Sequence, residues 1–144
     1  MSFNQSESAC QCYNGHLARP ETRNINAKIA LLAPVENEKY QLMWLGYSQR
    51  MQDGPWVDSN GDLPPVQNWG TSSVGTSLPD NTIRMVNGTL ETQDCVTINY
   101  RMRTLWDDEW CSNSYYGACQ THRSVTIDTR IFLKLHLLLC FLNW

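Results

Sequence analysis

Six cysteines constrain what this chain can fold into more than any other feature of its sequence. They can pair in many ways, and the sequence alone does not choose among them. Because two lie near the start and the others far along the chain, their spread favours long-range disulfides over a local metal site. Disulfides would place the protein in an oxidising compartment. The cysteines are Cys10, Cys12, Cys95, Cys111, Cys119 and Cys140.

Two other roles for the cysteines remain open at this point. They could be reduced thiols that are buried as small apolar side chains. They could also bind zinc, since Cys119 and His122 have a Cys-x-x-His spacing, and Cys10, Cys12 and His16 would complete the donors. The single residue between the first two cysteines is a shorter gap than zinc sites usually have.

Two triplets with the N-glycosylation pattern agree with an oxidising compartment, and they predict a glycoprotein. They are Asn4-Gln5-Ser6 and Asn87-Gly88-Thr89. Residues 1–8, in contrast, have neither the basic region nor the apolar stretch of a signal peptide. We therefore interpret the chain as a fragment of an extracellular protein, either secreted or the ectodomain of a membrane protein. A cytosolic protein with reduced cysteines is the alternative.

The overall composition excludes some classes of partner and permits a folded core. The 144 residues suit one domain. A net charge of -3 and a charged fraction of 17% argue against a broad nucleic-acid-binding surface. Hydrophobic residues make up 42% of the chain, which is enough to form a core and argues against disorder. No apolar run reaches the roughly 20 residues that span a bilayer as a helix.

Two amphipathic helices are predicted in the first part of the chain. The first covers residues 6–13 and ends at the Asn-Gly pair of residues 14–15, which is typical of a turn. The second opens with Pro-Glu-Thr at residues 20–22, because proline and acidic residues suit the first turn of a helix. Its apolar residues recur at the helical period, and Pro34 ends it. These apolar residues are Ile25, Ile29, Ala30 and Leu32.

Two strands, separated by a long irregular segment, are predicted further along the chain. Residues 42–47 form a nearly continuous apolar run, which is typical of a buried strand. Residues 95–100 alternate in polarity and are rich in β-branched side chains, which also indicates a strand. Residues 49–91 contain many prolines and glycines, and such a long segment in a compact domain is usually functional or disordered. Helices followed by strands indicate an α+β fold.

The last part of the chain differs in composition from the rest. Residues 131–144 are almost entirely apolar, but a helix of this length extends only about 21 Å, which is short of the roughly 30 Å hydrocarbon core. We interpret residues 121–144 as an apolar tail that is an added strand, a clipped membrane anchor or sequence outside the domain. The sequence leaves the relation of this tail to a membrane open.

Consecutive acidic residues form the most distinctive polar motif. Asp107, Asp108 and Glu109 lie between two tryptophans, shortly before Cys111. Like charges so close together repel, and partial burial adds to this cost, so that a bound cation would stabilise them. Calcium suits the motif because it binds several oxygen ligands at once, and a solvated acidic turn is the alternative. Further oxygen donors lie at Asp58, Asn60, Asp62, Asp80, Asn81, Gln93 and Asp94.

Other chemical motifs are absent or incomplete. Residues 58–62 are similar to the start of a calcium-binding EF-hand loop, but Leu63 stands where such a loop needs glycine, so we predict an Asx-rich turn. The histidines at positions 16, 122 and 136 have no nucleophilic partner in a recognisable motif, and no glycine-rich phosphate loop is present. Adjacent carboxylates do not give the opposed pair of a glycosidase. The protein is predicted not to be an enzyme.

Several of these motifs, in this order, resemble the C-type lectin-like domain over roughly residues 3–120. The resemblance implies an α+β fold of two helices and short antiparallel strands, with a long irregular loop and disulfides. It also implies that the usual N-terminal strand is missing. The motifs are Cys10, Gly15-His16-Leu17-Ala18, Trp44-Leu45-Gly46-Tyr47, Asp53-Gly54-Pro55-Trp56, Gln67-Asn68-Trp69, Cys95-Val96, Leu105-Trp106-Asp107-Asp108 and Ala118-Cys119.

The resemblance implies which cysteines are bonded. Cys10 would pair with Cys119, and Cys95 with Cys111. Cys12 lies two positions from Cys10 and is an alternative partner in the first of these bridges. In the implied pairing Cys12 is left over, as is a further cysteine near the end of the chain.

The resemblance also implies calcium in the long loop, where sugar hydroxyls complete the metal's coordination shell. In the first ligand triplet, Leu78-Pro79-Asp80, the aspartate keeps an oxygen ligand but the leucine has none. The proline is expected to have a cis peptide bond. The implied metal ligands are Asp80, Gln93, Asp107 and Asp108, and the implied ligand-binding residues are Asp80, Asn81, Asp107 and Asp108.

The predicted function is therefore extracellular carbohydrate binding, with calcium as the cofactor and glycans or glycoproteins as partners. Loss of a ligand at Leu78 should weaken calcium binding. The alternative is a domain of the same fold that binds a protein ligand without calcium. Trp69 and Trp106 could stack on a sugar ring, although tryptophans in such positions more often belong to the core.

Overall fold

The computed structural model describes residues 1–36, 39–40, 42–51, 53–72, 74–99 and 104–121. These residues form the predicted α+β fold, and no helix among them has both the length and the apolar character to cross a membrane. Cys140, His122, His136 and the remainder of the predicted apolar tail after Thr121 lie outside the described residues. The elements are α1 (Phe3–Cys12), β1 (Gly15–Leu17), α2 (Arg23–Ala30), β2 (Val35–Glu36), β3 (Lys39–Tyr40), β4 (Met43–Gln49), β5 (Trp56–Val57), β6 (Ile83–Val86), β7 (Thr89–Thr92), β8 (Cys95–Asn99), β9 (Leu105–Glu109), β10 (Tyr116–Gly117) and β11 (Cys119–Thr121).

Helix α1 begins earlier than the sequence predicted because a capping box fixes its start. The Ser2 hydroxyl accepts a hydrogen bond from the Gln5 backbone N–H at 3.4 Å, and the Gln5 side-chain oxygen accepts one from the Ser2 N–H at 3.0 Å. These two bonds satisfy N–H groups that have no partner within a helix. The helix therefore starts at Phe3 instead of residue 6. Asn14, with a φ of 56°, lies in the predicted turn after it.

Helix α2 is shorter than predicted at both ends. Thr22 is its N-cap, with the hydroxyl accepting from the Ile25 N–H at 3.2 Å, so that the predicted first residues of the helix lie before it. The helix ends at Ala30, before Pro34 is reached. Ile29 and Ala30 are buried, as the helical period indicated.

The central sheet has the strand order β10-β4-β8-β9, and β5 pairs with β4. β10 runs parallel to β4, and the other pairs of this sheet are antiparallel. The predicted strands at residues 42–47 and 95–100 correspond to β4 and β8. β1 and β11 pair with each other, and β6 and β7 form a hairpin within the long irregular segment.

Strand β4 divides the core because its side chains alternate between two faces. Met43, Leu45 and Tyr47 belong to the main cluster, which also includes the buried residues of α2. Trp44 belongs to a second cluster with Cys10 of α1, and its indole N–H donates to the Met1 carbonyl at 3.0 Å. This two-sided burial explains why the strand is nearly continuously apolar in sequence.

Gly46 in β4 is required by the close approach of the backbone after β1. A Cβ atom at this position would lie 2.6 Å from the Leu17 carbonyl oxygen. The Gly46 N–H donates to the Ala18 carbonyl at 2.9 Å. The glycine of the Trp-Leu-Gly-Tyr motif therefore allows β4 to pack directly against the chain that follows β1.

Two disulfides join distant parts of the chain in the pairing that the resemblance implied. Cys10 is bonded to Cys119 and Cys95 to Cys111. Cys12 therefore does not replace Cys10, and none of the cysteines in the described part of the chain is a free thiol. The interpretation as buried thiols is wrong for these residues. The zinc interpretation is also wrong, since two of its sulfur donors, Cys10 and Cys119, are bonded to each other.

The two disulfides should differ in their contribution to stability because they close loops of different length. Their sequence separations are 109 and 16 residues. In the chain-entropy model, removing the longer one costs about 4–5 kcal/mol and the shorter one about 3 kcal/mol. We expect the Cys10→Ala/Cys119→Ala variant to unfold at lower urea concentration than Cys95→Ala/Cys111→Ala. The reverse order would show that native contacts, and not loop length, determine the difference.

Candidate ligand-binding site

The long loop covers the outer edge of the central sheet at β9. The Trp106 N–H donates to the Asn68 carbonyl at 2.8 Å, and the Trp106 carbonyl accepts from the Gly70 N–H at 2.9 Å. The Leu78 N–H in turn donates to the Gly70 carbonyl at 3.1 Å. The loop backbone at Asn68 and Gly70 thus provides hydrogen-bond partners for backbone N–H and C=O groups at the edge of β9. Leu78 in turn binds the backbone of Gly70.

Aromatic side chains fill the space beneath the loop. The Trp69 ring lies 5.0 Å from that of Trp56 and 5.6 Å from that of Trp106, centroid to centroid. Tyr47 of β4 lies 5.5 Å from Trp106 on the other side. Trp106 is fully buried and therefore belongs to the core, whereas Trp69 is only partly buried against it.

A hydrogen-bond network that the sequence did not indicate joins α2, β9 and the long loop. The Trp106 indole N–H donates to the Asn26 side-chain oxygen at 2.6 Å. The Asn26 amide donates to the Thr104 carbonyl at 2.8 Å, and the Asn68 amide donates to the same carbonyl at 3.0 Å. Asparagines are too common for a sequence signal, so only the fold reveals this network.

The buried carboxylate of Asp108 holds the part of the loop that follows the cis Leu78–Pro79 bond. It accepts hydrogen bonds from the Asp80 N–H, 3.1 Å from each oxygen, and from the Asn81 N–H at 2.7 Å. Burial raises the pKa of Asp108, and these hydrogen bonds only partly offset that effect. Asp108 thus has a structural role in the loop as well as a place among the predicted ligands.

The surroundings of Asp107 destabilise its ionised form. Burial, together with the charges of Glu109, Asp108 and Asp80, raises its pKa to about 7. Glu109 is also half-buried, and burial raises its pKa in turn. The described part of the chain contains two ion pairs, Arg19–Asp58 and Arg84–Glu91. Neither pair includes a carboxylate of the acidic motif.

Thr82 brings two other predicted residues together. Its hydroxyl donates to the Asp80 carboxylate at 2.7 Å, and its backbone N–H donates to the Gln93 side-chain oxygen at 3.0 Å. The Asn81 side-chain oxygen nearby is buried and accepts no hydrogen bond from the described residues. The structure therefore collects Asp80, Asn81 and Gln93 around one turn, and the organising threonine was missed by the sequence interpretation.

The first residue of the Leu78-Pro79-Asp80 triplet supplies no oxygen ligand, as the sequence indicated. Leu78 is buried, as an apolar side chain in this position should be. The described residues contain no group of three or more His, Cys, Asp or Glu side chains arranged to hold a metal ion. Any metal here would therefore depend also on amide oxygens.

The segment that is similar to an EF-hand start forms the predicted Asx-rich turn instead. One Asp58 oxygen accepts from the Asn60 N–H at 2.8 Å and the Asp62 N–H at 3.0 Å, and the other lies 2.7 Å from Arg19. Burial alone would raise the pKa of Asp58, but these hydrogen bonds and Arg19 outweigh it and lower the pKa. This carboxylate is fully engaged within the fold.

Known proteins similar to this chain include several with the same domain. A family model described as the Lectin C-type domain matches residues 1–121. Human tetranectin is 26% identical over 121 residues, which is 83% of this chain and 54% of tetranectin. Lectin BRA-3 of Megabalanus rosa is 27% identical over 121 residues, which is 82% of this chain and 64% of that lectin. The chain thus spans about half the length of human tetranectin.

Solved structures with this fold differ in the ligands that their names state. The human scavenger receptor C-type lectin carbohydrate-recognition domain has a TM-score of 0.63 and 22% identity, covering 83% of this chain and 81% of that one. A calcium-independent type II antifreeze protein has a TM-score of 0.57 and 19% identity, covering 83% and 76%. At these identities the similarity shows the fold alone, and the ligand must be argued from the site.

The pKa of Asp107 gives a pH dependence that can be measured. Because its folded-state value of about 7 lies above the ordinary 3.8, the folded protein binds this proton more tightly than the unfolded one does. The free energy of unfolding should then fall as pH rises from about 4 to about 7 in the presence of chelator. Asp107→Asn should flatten this slope in urea denaturation.

A matched control for this variant is available at an exposed loop carboxylate. Asp53→Asn removes the same charge at a position where asparagine tolerates the φ of 58°. It should keep the wild-type slope. Equal slopes for wild type and Asp107→Asn would show that Asp107 does not carry the pH dependence.

Proposed function

This chain belongs to the C-type lectin domain family, and we propose on that basis that its long loop binds carbohydrate outside the cell with the help of calcium. The observation that carries the proposal is the electrostatic interaction of Asp107 with its neighbours Asp80 and Asp108. Burial raises the pKa of Asp107, and the charges of Asp108 and Asp80 add to this effect, so that the ionised form of Asp107 is less stable in their presence. A bound divalent cation would attract the carboxylates and so offset their mutual repulsion.

The donor chemistry of the loop fits calcium. Three carboxylates, Asp80, Asp107 and Asp108, provide hard anionic oxygens, and Gln93 provides a neutral one. The buried Asn81 oxygen without a partner among the described residues offers a further ligand. Calcium accepts such a mixture of carboxylate and amide oxygens in a flexible geometry, whereas soft donors are not needed. When bound, it would provide a site at which vicinal sugar hydroxyls replace water.

The chain's own residues would position the ligand independently of the metal. Asp108 holds the backbone of Asp80 and Asn81, so that this part of the loop is ordered before anything binds. Such preorganisation lowers the conformational entropy cost of binding. Asp80 and Asp107 would then accept hydrogen bonds from the hydroxyls of a sugar, and the Asn81 amide would accept or donate them.

The leucine at position 78 indicates that calcium binding would be weak. The family's first triplet begins with a carboxylate or amide side chain, and leucine provides no oxygen to the metal or to a sugar hydroxyl. Calcium affinity depends on the number and charge of the ligands, so that loss of one ligand should weaken binding on the order of tenfold or more.

The second candidate function is calcium-independent binding of a protein ligand through the same loop. The burial of Leu78 favours it, since the side chain is accommodated as an apolar core residue. The hydrogen bonds that satisfy the Asp108 carboxylate favour it as well, because they stabilise the loop without a metal. Glycans, glycoproteins and other proteins are therefore all in the range of partners that we consider.

The extracellular location that we propose is supported by the two disulfides, which are typical of oxidising compartments. C-type lectin domains are generally not enzymes, and the expected lack of catalytic activity stays a prediction for this chain. The proposed partners do not include nucleic acid, in agreement with the net charge of -3.

Restoring the missing ligand should reveal the calcium site. In Leu78→Glu, the added carboxylate should increase calcium affinity on the order of tenfold. Without calcium the same variant should be less stable, because the new charge lies near Asp80. Thermal unfolding with and without calcium measures both effects, and Leu78→Met is the control for a change of shape alone. A calcium-dependent rise in Tm that is equal in both variants would contradict the site.

Binding of glycans should depend on calcium and on Asp107. A glycan array probed with wild type should give signals that chelator abolishes, and Asp107→Asn should lose them. Asp107→Asn is a better probe than Asp108→Ala, because the latter would remove the acceptor of the Asp80 and Asn81 backbone N–H groups and so disturb the loop itself. Absence of glycan signals and of a calcium effect on Tm would instead favour the protein-binding function.

A further inference from the structure

The hairpin of β6 and β7 has a turn that presents one of the two glycosylation triplets. Val86 pairs with Thr89, so that Asn87 and Gly88 are the only residues between the strands. Their φ angles of 49° and 82° are those of a type I′ turn, which Asn-Gly forms readily. The turn therefore follows from the same residues that make the triplet.

All three residues of this triplet are exposed. A Cβ atom added at Gly88 would meet no atom within 4 Å, so the space around the turn is open. The Asn87 amide and the Thr89 hydroxyl lie on exposed residues, so the folded domain has room for a large group attached at Asn87.

The other triplet lies in a different environment. Asn4, Gln5 and Ser6 lie within α1, and Ser6 is completely buried. A Cβ atom at Gly117 would lie 3.0 Å from the Ser6 Cβ, which shows how closely this side chain is packed against β10. The hydroxyl that the triplet requires is therefore inaccessible once the domain has folded.

We propose that Asn87 is N-glycosylated and that Asn4 is not. The Asn87 side-chain nitrogen loses a proton and forms a bond to C1 of the reducing-end sugar of an oligosaccharide. The donor is a polyprenyl-pyrophosphate-linked oligosaccharide, whose C1–oxygen bond breaks to release the polyprenyl pyrophosphate. The inference depends on the extracellular location proposed above, since this chemistry belongs to the secretory pathway.

The two faces of the hairpin give a reason for a glycan at its tip. On one face, Arg84 pairs with Glu91 at 2.9 Å and lies 4.4 Å from the Trp110 ring, so that this face packs against the domain. The other face exposes half or more of three apolar side chains. An exposed two-stranded apolar surface invites association with other chains, and a bulky polar glycan beside it would oppose this. These side chains are Ile83, Met85 and Leu90.

The test uses the full chain behind a cleavable signal peptide, expressed in mammalian cells. The added signal provides the secretory route, so that failure of glycosylation can be distinguished from an error in the proposed natural location. Peptide-N-glycosidase should shift wild type and Asn4→Gln by one glycan, and it should leave Asn87→Gln and Thr89→Ala unshifted. Thr89→Ser should retain the shift and serves as the matched control, since Thr89 lies outside the two turn residues.

Three results would overturn the proposal: no shift in the wild type, a shift that persists in Asn87→Gln, or a shift that Asn4→Gln reduces. Disulfide mapping of each secreted variant verifies that it has folded. Loss of the glycan in Thr89→Ala together with an intact Cys95–Cys111 bridge would show that the hydroxyl, and not the fold, was the missing element.

Discussion

A buried carboxylate that binds backbone N–H groups is the interaction on which the candidate site depends. Asp108 lies at the edge of the central sheet, and its two oxygens fix the backbone of Asp80 and Asn81 after the cis Leu78–Pro79 bond. A charged acceptor forms stronger hydrogen bonds than a neutral one, which offsets part of the cost of its burial. The irregular loop thus acquires a definite shape without regular secondary structure.

The same arrangement explains why calcium and protein ligands are both reasonable partners. Asp108 already has hydrogen-bond partners, so that the loop does not need a metal to remain folded. Asp107, with its raised pKa of about 7, has a net cost that a cation would remove. In the proposed calcium site, leucine at position 78 supplies no oxygen ligand and would favour weak metal binding.

The fold was largely predictable from the sequence, and the details of the site less so. The strand around Trp44 was recognisable because both of its faces are buried, and the cis bond before Pro79 followed from the resemblance. The start of α1 was placed too late because the capping box of Ser2 and Gln5 was overlooked. The contacts of Asn26 join residues 78 and 80 positions apart, and local patterns carry no information about such pairs. Thr82 contacts Asp80 and Gln93 on either side of the hairpin of β6 and β7, which the sequence did not predict.

The bridge between Cys10 and Cys119 has a consequence for the fate of the loop after proteolysis. Exposed loop tips are the usual points of attack, and Val74 lies on such a tip. A cut there would break the long loop before Asp80 but leave both fragments covalently joined, because the bridge connects the segments on either side. The nicked molecule would migrate like the intact chain on a non-reducing gel, so the cut would be detected only after a reductant is added.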